Sequence, residues 1–170
     1  MTDKTNIKGN RSHAGKVAEA KVHPPLDEDY ILLQAKAIVR KRFQRSDFLT
    51  SPDATRDFLT VTLANEPREL FGLILLDTQH CVLKFEALFT GTIDGASVYP
   101  REIVKCVLDA NAAAVILTHN HPSGHREPSQ ADRNITQRIK QALDTVEVRV
   151  LDHLLVAGPA IVSFAELGLL

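Results

Sequence analysis

Two histidines two residues apart, then a serine and an aspartate, stand in the segment HNHPSGHREPSQAD at residues 119–132, in the spacing His-x-His-x7-Ser-x2-Asp. In an extended chain residues i and i+2 share a face, so His119 and His121 aim both imidazoles at one point while Asn120 points away. The apolar run AAAVILT (112–118) reads as a buried strand that delivers the pair to its end, where Pro122, Ser123 and Gly124 open a loop. Asp132 then approaches from the start of the next helix. Two imidazoles and a carboxylate form a ligand set that zinc accepts. A fourth position is left for water, as in a catalytic rather than a structural zinc site.

Water activated by zinc needs a carboxylate within reach to take its proton. Glu69, ahead of the apolar segment LFGLILLD, is the candidate, and Gly72 within that segment permits close backbone approach. Ser129 is a candidate donor to the oxyanion that forms when water attacks a carbonyl. Ser129-x-x-Asp132 is equally a capping box ahead of Ala131, Ile135, Ile139 and Leu143, and the two roles are compatible because a cap fixes both side chains. His125 lies in the loop and is left out of the site. His153 either orients a ligand from behind or is a satisfied strand histidine. Cys81 and Cys106 lack Cys-x-x-Cys spacing and read as ordinary buried thiols.

Glu69-x2-Gly72-Leu73 followed by His119-x-His121-x7-Ser129-x2-Asp132 resembles the JAMM signature of JAB/MPN metalloproteases and isopeptidases. Within that superfamily FTGTIDGASVYPREIVKCVLDANAAAVILTHNHPSG, then PSQAD, LDHLLVAG and SFAELGLL, resemble the RadC branch, over roughly residues 48–170. The resemblance implies His119, His121 and Asp132 as zinc ligands, Glu69 as general acid/base and Ser129 as oxyanion donor. It implies an α/β, MPN/JAB-like three-layer fold, a mixed sheet flanked by helices with cytidine deaminase-like architecture, and zinc at a sheet edge beside the 119–132 loop. The activity implied is a zinc-dependent metallohydrolase, a metalloprotease or isopeptidase with a peptide or protein substrate. The alternatives are a metal-retaining binding module, or a DNA-repair or mobile-element accessory protein without hydrolytic activity. Longer RadC-like proteins carry an N-terminal helix-hairpin-helix module. The residues before position 48 show no pair of apolar helical patterns joined by a Gly-containing hairpin, so this chain reads as a short form and the repair role is not carried over.

Composition bounds the rest. The 170 residues are 44% hydrophobic, enough for one domain with a sizeable core. Two cysteines, no signal peptide and no apolar run of membrane-span length point to a reducing cytoplasm. A net charge of −1 argues against a protein built around nucleic-acid electrostatics. Nothing in the chain sets its oligomeric state.

The elements that must position the site follow from the patterning. Residues 1–25 are polar, end in Pro24-Pro25 and read as a flexible tail. A helix is expected over 26–47, with the apolar stripe Ile31, Leu32, Ala35, Ile38, Val39 and Phe43 and a basic flank. A second helix starts after Ser51-Pro52, with Phe58, Leu59, Val61 and Leu63 to bury. Strands at about 70–77 and 81–89 are joined by Asp77-Thr78-Gln79-His80 as an antiparallel hairpin. Pro100 opens a helix whose Ile103, Val104, Val107 and Leu108 share a face. The strand at 112–118, the helix at 130–143 and a strand pair near 147–157 follow, and Ser163-x-x-Glu166 caps a short closing helix.

Overall fold

A computed structural model describes residues 27–43, 52–91 and 98–170. The elements run α1 (Glu28–Phe43), α2 (Pro52–Leu63), β1 (Leu70–Leu76), β2 (Val82–Thr90), α3 (Pro100–Asp109), β3 (Ala114–Asn120), α4 (Gln130–Asp144), β4 (Arg149–Ala157) and β5 (Ala160–Ser163). The strands make one mixed sheet in the order β2-β1-β3-β4-β5. Only β3 and β4 run parallel, because α4 crosses between them, whereas tight turns join β1 to β2 and β4 to β5 as antiparallel pairs.

Each face of the sheet is covered by helices, as an α/β three-layer fold requires. On one face Phe71, Leu73, Leu75, Val115, Leu117 and Val150 pack against Ile103 and Val107 of α3 and Ile135, Ile139 and Leu143 of α4. On the other, Ile74, Leu76, Ala114, Leu154 and Val156 pack against Phe58, Leu59 and Leu63 of α2. Burial of each large aliphatic or aromatic side chain contributes about 1.5–3 kcal/mol, so these two cores hold the strands in fixed register beneath the site.

One irregularity steers the site. Val115 pairs with Val150, but Ile116 pairs with Asp152, so β4 carries an extra residue, Leu151, at a bulge. Beyond it the alternation of β4 is reversed: Val150 lies in the α3/α4 core, whereas Leu154 and Val156 lie in the α2 core. His153, paired with Leu117, is thereby turned toward α4.

Several expectations change. The expected strand pair near 147–157 is a single strand, β4, whose partner β5 follows a turn with Gly158 at φ +60. The expected closing helix is a set of turns, although the Glu166 N–H does donate to Ser163 Oγ at 3.1 Å. On α1, Ile31 and Ile38 are half exposed rather than buried, because α2 covers only one side of that helix, where Leu32, Ala35 and Val39 are partly buried. Leu108 is likewise exposed, with Ile103 and Val107 carrying the burial of α3. The expected Ser51 cap, the tail at 1–25, the end of the first helix at 44–47 and most of the GTIDGAS loop lie outside the described residues.

Candidate metal centre

The pair of histidines sits where strand alternation delivers it. His119 is in β3, facing α4, with Phe71 of β1 as its antiparallel partner. The His121 N–H donates to Val156 O at 2.9 Å, which prolongs the extended conformation one step past the strand and keeps both rings on one side. The site therefore lies at the carboxyl end of the central strand, not at a sheet edge as expected, since β1 and β4 flank β3 on either side. The third group comes from the first turn of α4. Ser129 caps that helix: its Oγ accepts from the Asp132 N–H at 3.1 Å, while the Ser129 N–H and hydroxyl each donate to Asp132 Oδ2 at 2.7 Å. The capping box thus aims the carboxylate, and the helix N-terminus favours its negative charge.

His119 Nε2 and His121 Nε2 stand 3.2 Å apart, with Asp132 Oδ1 at 3.5 Å from the first and Oδ2 at 3.6 Å from the second. Three ligands held about 2.0–2.1 Å from an ion at tetrahedral angles lie about 3.3–3.4 Å from one another, so the spacing fits. His119 and Asp132 are fully buried and the His121 side chain is one-tenth exposed. Asp132 Oδ1 has no hydrogen-bond partner. Such an orphaned buried acceptor is costly unless something positive meets it. His121 Nδ1 lies 2.8 Å from the backbone carbonyl of His125, which can only accept, so Nδ1 carries the hydrogen and Nε2 presents its lone pair. The loop histidine set aside from the site thus contributes through its carbonyl.

The electrostatics agree. The hydrogen bond to Asp132 raises the His121 pKa above its ordinary value, against burial, which lowers it. Burial would push the Asp132 carboxyl up, but the facing His119 and His121 imidazoles and the Ser129 hydroxyl hold it far below the usual carboxylate range. Two imidazole nitrogens and an ionised carboxylate facing one another form a donor set that suits a cation. Among the described residues, His119, His121 and Asp132 are the group of ligating side chains close enough to hold one.

Around this centre the other expected residues take distinct places. Glu69 immediately precedes β1, whose Phe71 pairs with His119, and its negative charge helps to raise the pKa of His121. Gly72 has the close neighbours foreseen for it: a Cβ there would meet Glu86 O at 3.0 Å and the Phe85 ring at 3.1 Å. The Ser129 hydroxyl proton is engaged by Asp132, so in this geometry it orients that carboxylate. Asn120 does point away from the histidines, but it is not idle. Its Oδ1 accepts from the Leu70 N–H at 2.8 Å and its Nδ2 donates to Glu66 O at 3.3 Å and Arg68 O at 3.1 Å. The residue between the two histidines therefore holds the segment that carries Glu69, a role that nothing in its spacing signalled. Cys81 and Cys106 are free thiols, both partly rather than fully buried. No described helix is long and apolar enough to cross a membrane.

A mixed α/β sheet with a His-x-His pair at the end of its central strand and an aspartate from the next helix is the JAB/MPN arrangement. Residues 49–169 match the RadC-like JAB domain, and the chain belongs to that family. It is 58% identical over 144 residues to a "UPF0758 protein" of Shewanella frigidimarina, covering 82% of this chain and 64% of that protein. A "UPF0758 protein" of Stutzerimonas stutzeri is 56% identical over 138 residues, covering 81% of this chain and 62% of the relative. One from Vibrio cholerae is 52% identical over 153 residues, covering 90% of this chain and 97% of its own length. The chain thus spans just under two thirds of the Shewanella and Stutzerimonas relatives and nearly all of the Vibrio one.

Proposed function

We propose that this chain is a zinc-dependent metallohydrolase, acting as a metalloprotease or isopeptidase. The observation that carries this reading is the meeting of two imidazole nitrogens and a buried carboxylate at 3.2–3.6 Å spacing, with one carboxylate oxygen left without a hydrogen-bond partner. His119, His121 and Asp132 would hold the ion. Bound there, a divalent cation supplies Lewis acidity that polarises a carbonyl and makes water nucleophilic near neutral pH. Glu69, whose charge acts on His121, takes the proton from the attacking water and returns it to the leaving amine. Ser129 orients Asp132 through its cap and donates to the developing oxyanion when its hydroxyl turns from the carboxylate. An extended peptide suits the site. The edge strand β2 ends at Thr90 beside Leu70, and the Gly91 N–H donates to Glu69 O at 2.8 Å, so a chain laid along that edge reaches the site.

Elemental mass spectrometry on the purified protein, beside a His119→Ala/His121→Ala variant, tests the metal. About one zinc per chain that is absent from the variant is expected. A panel of peptide and isopeptide substrates then tests hydrolysis, with Glu69→Ala as the inactive control that still binds metal. A zinc-loaded protein that leaves the whole panel intact overturns the protease reading.

A further inference from the structure

Behind the ligand His119 lies a chain of hydrogen bonds that ends back at the ligand Asp132. His119 Nδ1 is 2.8 Å from His153 Nε2, His153 Nδ1 is 2.6 Å from Thr136 Oγ1, and the Thr136 hydroxyl donates to Asp132 O at 2.6 Å. All four residues are buried, with His119, His153, Asp132 and Thr136 at 0% exposure. Phe164 lies 4.3 Å from the His153 ring and Phe71 meets it edge-on at 5.6 Å, closing the ring off from solvent.

In such an enclosed chain each contact needs one hydrogen, and the acceptors decide where each one sits. The carbonyl of Asp132 has no proton to give, so the Thr136 hydroxyl points its only one there. Thr136 Oγ1 must then accept from His153, which places the His153 hydrogen on Nδ1. Its Nε2 is left as an acceptor, and the hydrogen in the next contact belongs to His119 Nδ1. The remaining nitrogen of His119, Nε2, is bare, and it faces His121 Nε2 and Asp132 Oδ1. Reversing any one link reverses all those beyond it.

We propose that Thr136 and His153 are positioning residues that lock His119 in the tautomer whose bare Nε2 faces the ion, so that metal affinity is set by a threonine one helical turn beyond Asp132. The inference rests on the metal reading of the site and deepens it. The sheet supplies the geometry: the bulge at Leu151 turns His153 onto the face of His119, and α4 presents Asp132 and Thr136, four residues apart, to both. Partners of this kind behind a ligating histidine typically change metal affinity 10–100-fold when removed, roughly the effect expected here.

The test uses the full chain, with and without zinc, and two readouts. Long-range ¹H–¹⁵N correlations of the imidazoles in the zinc-free protein, at about pH 8, report which nitrogen carries each hydrogen. Wild type should show His119 and His153 both protonated on Nδ1. Thr136→Val, which keeps the shape and removes the acceptor, should shift both rings toward the Nε2–H form and weaken zinc binding, measured by chelator competition, about 10–100-fold. Thr136→Ser restores the hydroxyl and should return both readouts to wild type. If wild-type His119 carries its hydrogen on Nε2, the proposal fails without any variant. It fails also if Thr136→Val binds zinc as tightly as wild type. If wild type shows the Nδ1–H rings but binds no zinc, the metal reading fails while the lock itself stands.

Discussion

Replacing Asn120 by alanine should loosen the segment that carries Glu69 and leave the metal centre nearly untouched. The asparagine is 2% exposed and all three of its contacts go to backbone groups of residues 66–70. Its removal orphans the Leu70 N–H, at a cost of about 1–3 kcal/mol. The carbonyls of Glu66 and Arg68 belong to an exposed stretch, where Pro67 and Arg68 meet solvent, and regain partners from water. Adding the lost packing gives a destabilisation of about 2–4 kcal/mol, a large share of the 5–15 kcal/mol typical of a whole domain. Asn120→Asp should be no milder. It keeps an acceptor for Leu70 but turns a carboxylate toward two carbonyl oxygens that had received hydrogen bonds. Urea unfolding of the zinc-free protein gives the energy, hydrogen exchange at the Leu70 amide reports the tether, and chelator competition gives the zinc affinity. Because the side chain lies on the opposite face of β3 from the histidines, the affinity of the folded protein should stay within about threefold of wild type. A change in stability below about 0.5 kcal/mol with the Leu70 amide still protected would refute the tether.

Gly72→Ala should destabilise the sheet by about 1–3 kcal/mol, because the new methyl group meets the Glu86 carbonyl and the Phe85 ring; an unchanged melting temperature would show that β2 yields freely. Ser129→Ala removes the cap of α4 and one of the donors to Asp132, so a loss of about 0.5–2 kcal/mol is expected in the zinc-free protein, largely recovered in Ser129→Thr. Zinc affinity should fall with pH. His121, whose pKa is raised, must give up its proton to bind the ion, whereas Asp132 is already ionised, so affinity is fullest above the His121 pKa and drops about tenfold per unit below it. Isothermal titration between about pH 8 and about pH 6 checks this, and a flat profile would contradict it.

The parts of the site that depend on local rules were legible in the sequence. Alternation along a strand put His119 and His121 on one side, a capping box placed Ser129 and Asp132 at the start of α4, and Gly72 marked a close approach. Those that depend on pairing between distant segments were not. Thr136 is an ordinary mid-helix threonine until β4 comes beside it. His153, counted by simple alternation from the buried Val150, falls on the wrong face, and only the bulge at Leu151 corrects the count. Asn120 looks like a spacer until the 66–70 segment crosses its end. At the level of the fold, the hairpin of β1 and β2 and the helix α4 follow the periodicity. The turn at Gly158 and the exposed side of α1 reflect tertiary cover that patterning does not encode.

The contrast between β3 and β4 bears on how this chain can change length. From Ile116 to His119 the central strand pairs in unbroken register with both neighbours, and Asn120 continues the register with β4, so its last residues have no slack. A single inserted residue there would hand the asparagine to the metal side and a histidine to the loop side, undoing two tasks at once. The extra residue of β4 is a reserve: dropping Leu151 would smooth the strand and still leave His153 opposite Leu117. Loss or gain of a residue near the end of β3 should therefore cost function, while loss of one residue at the β4 bulge should spare the site and cost the contact that Leu151 makes with the α2 core.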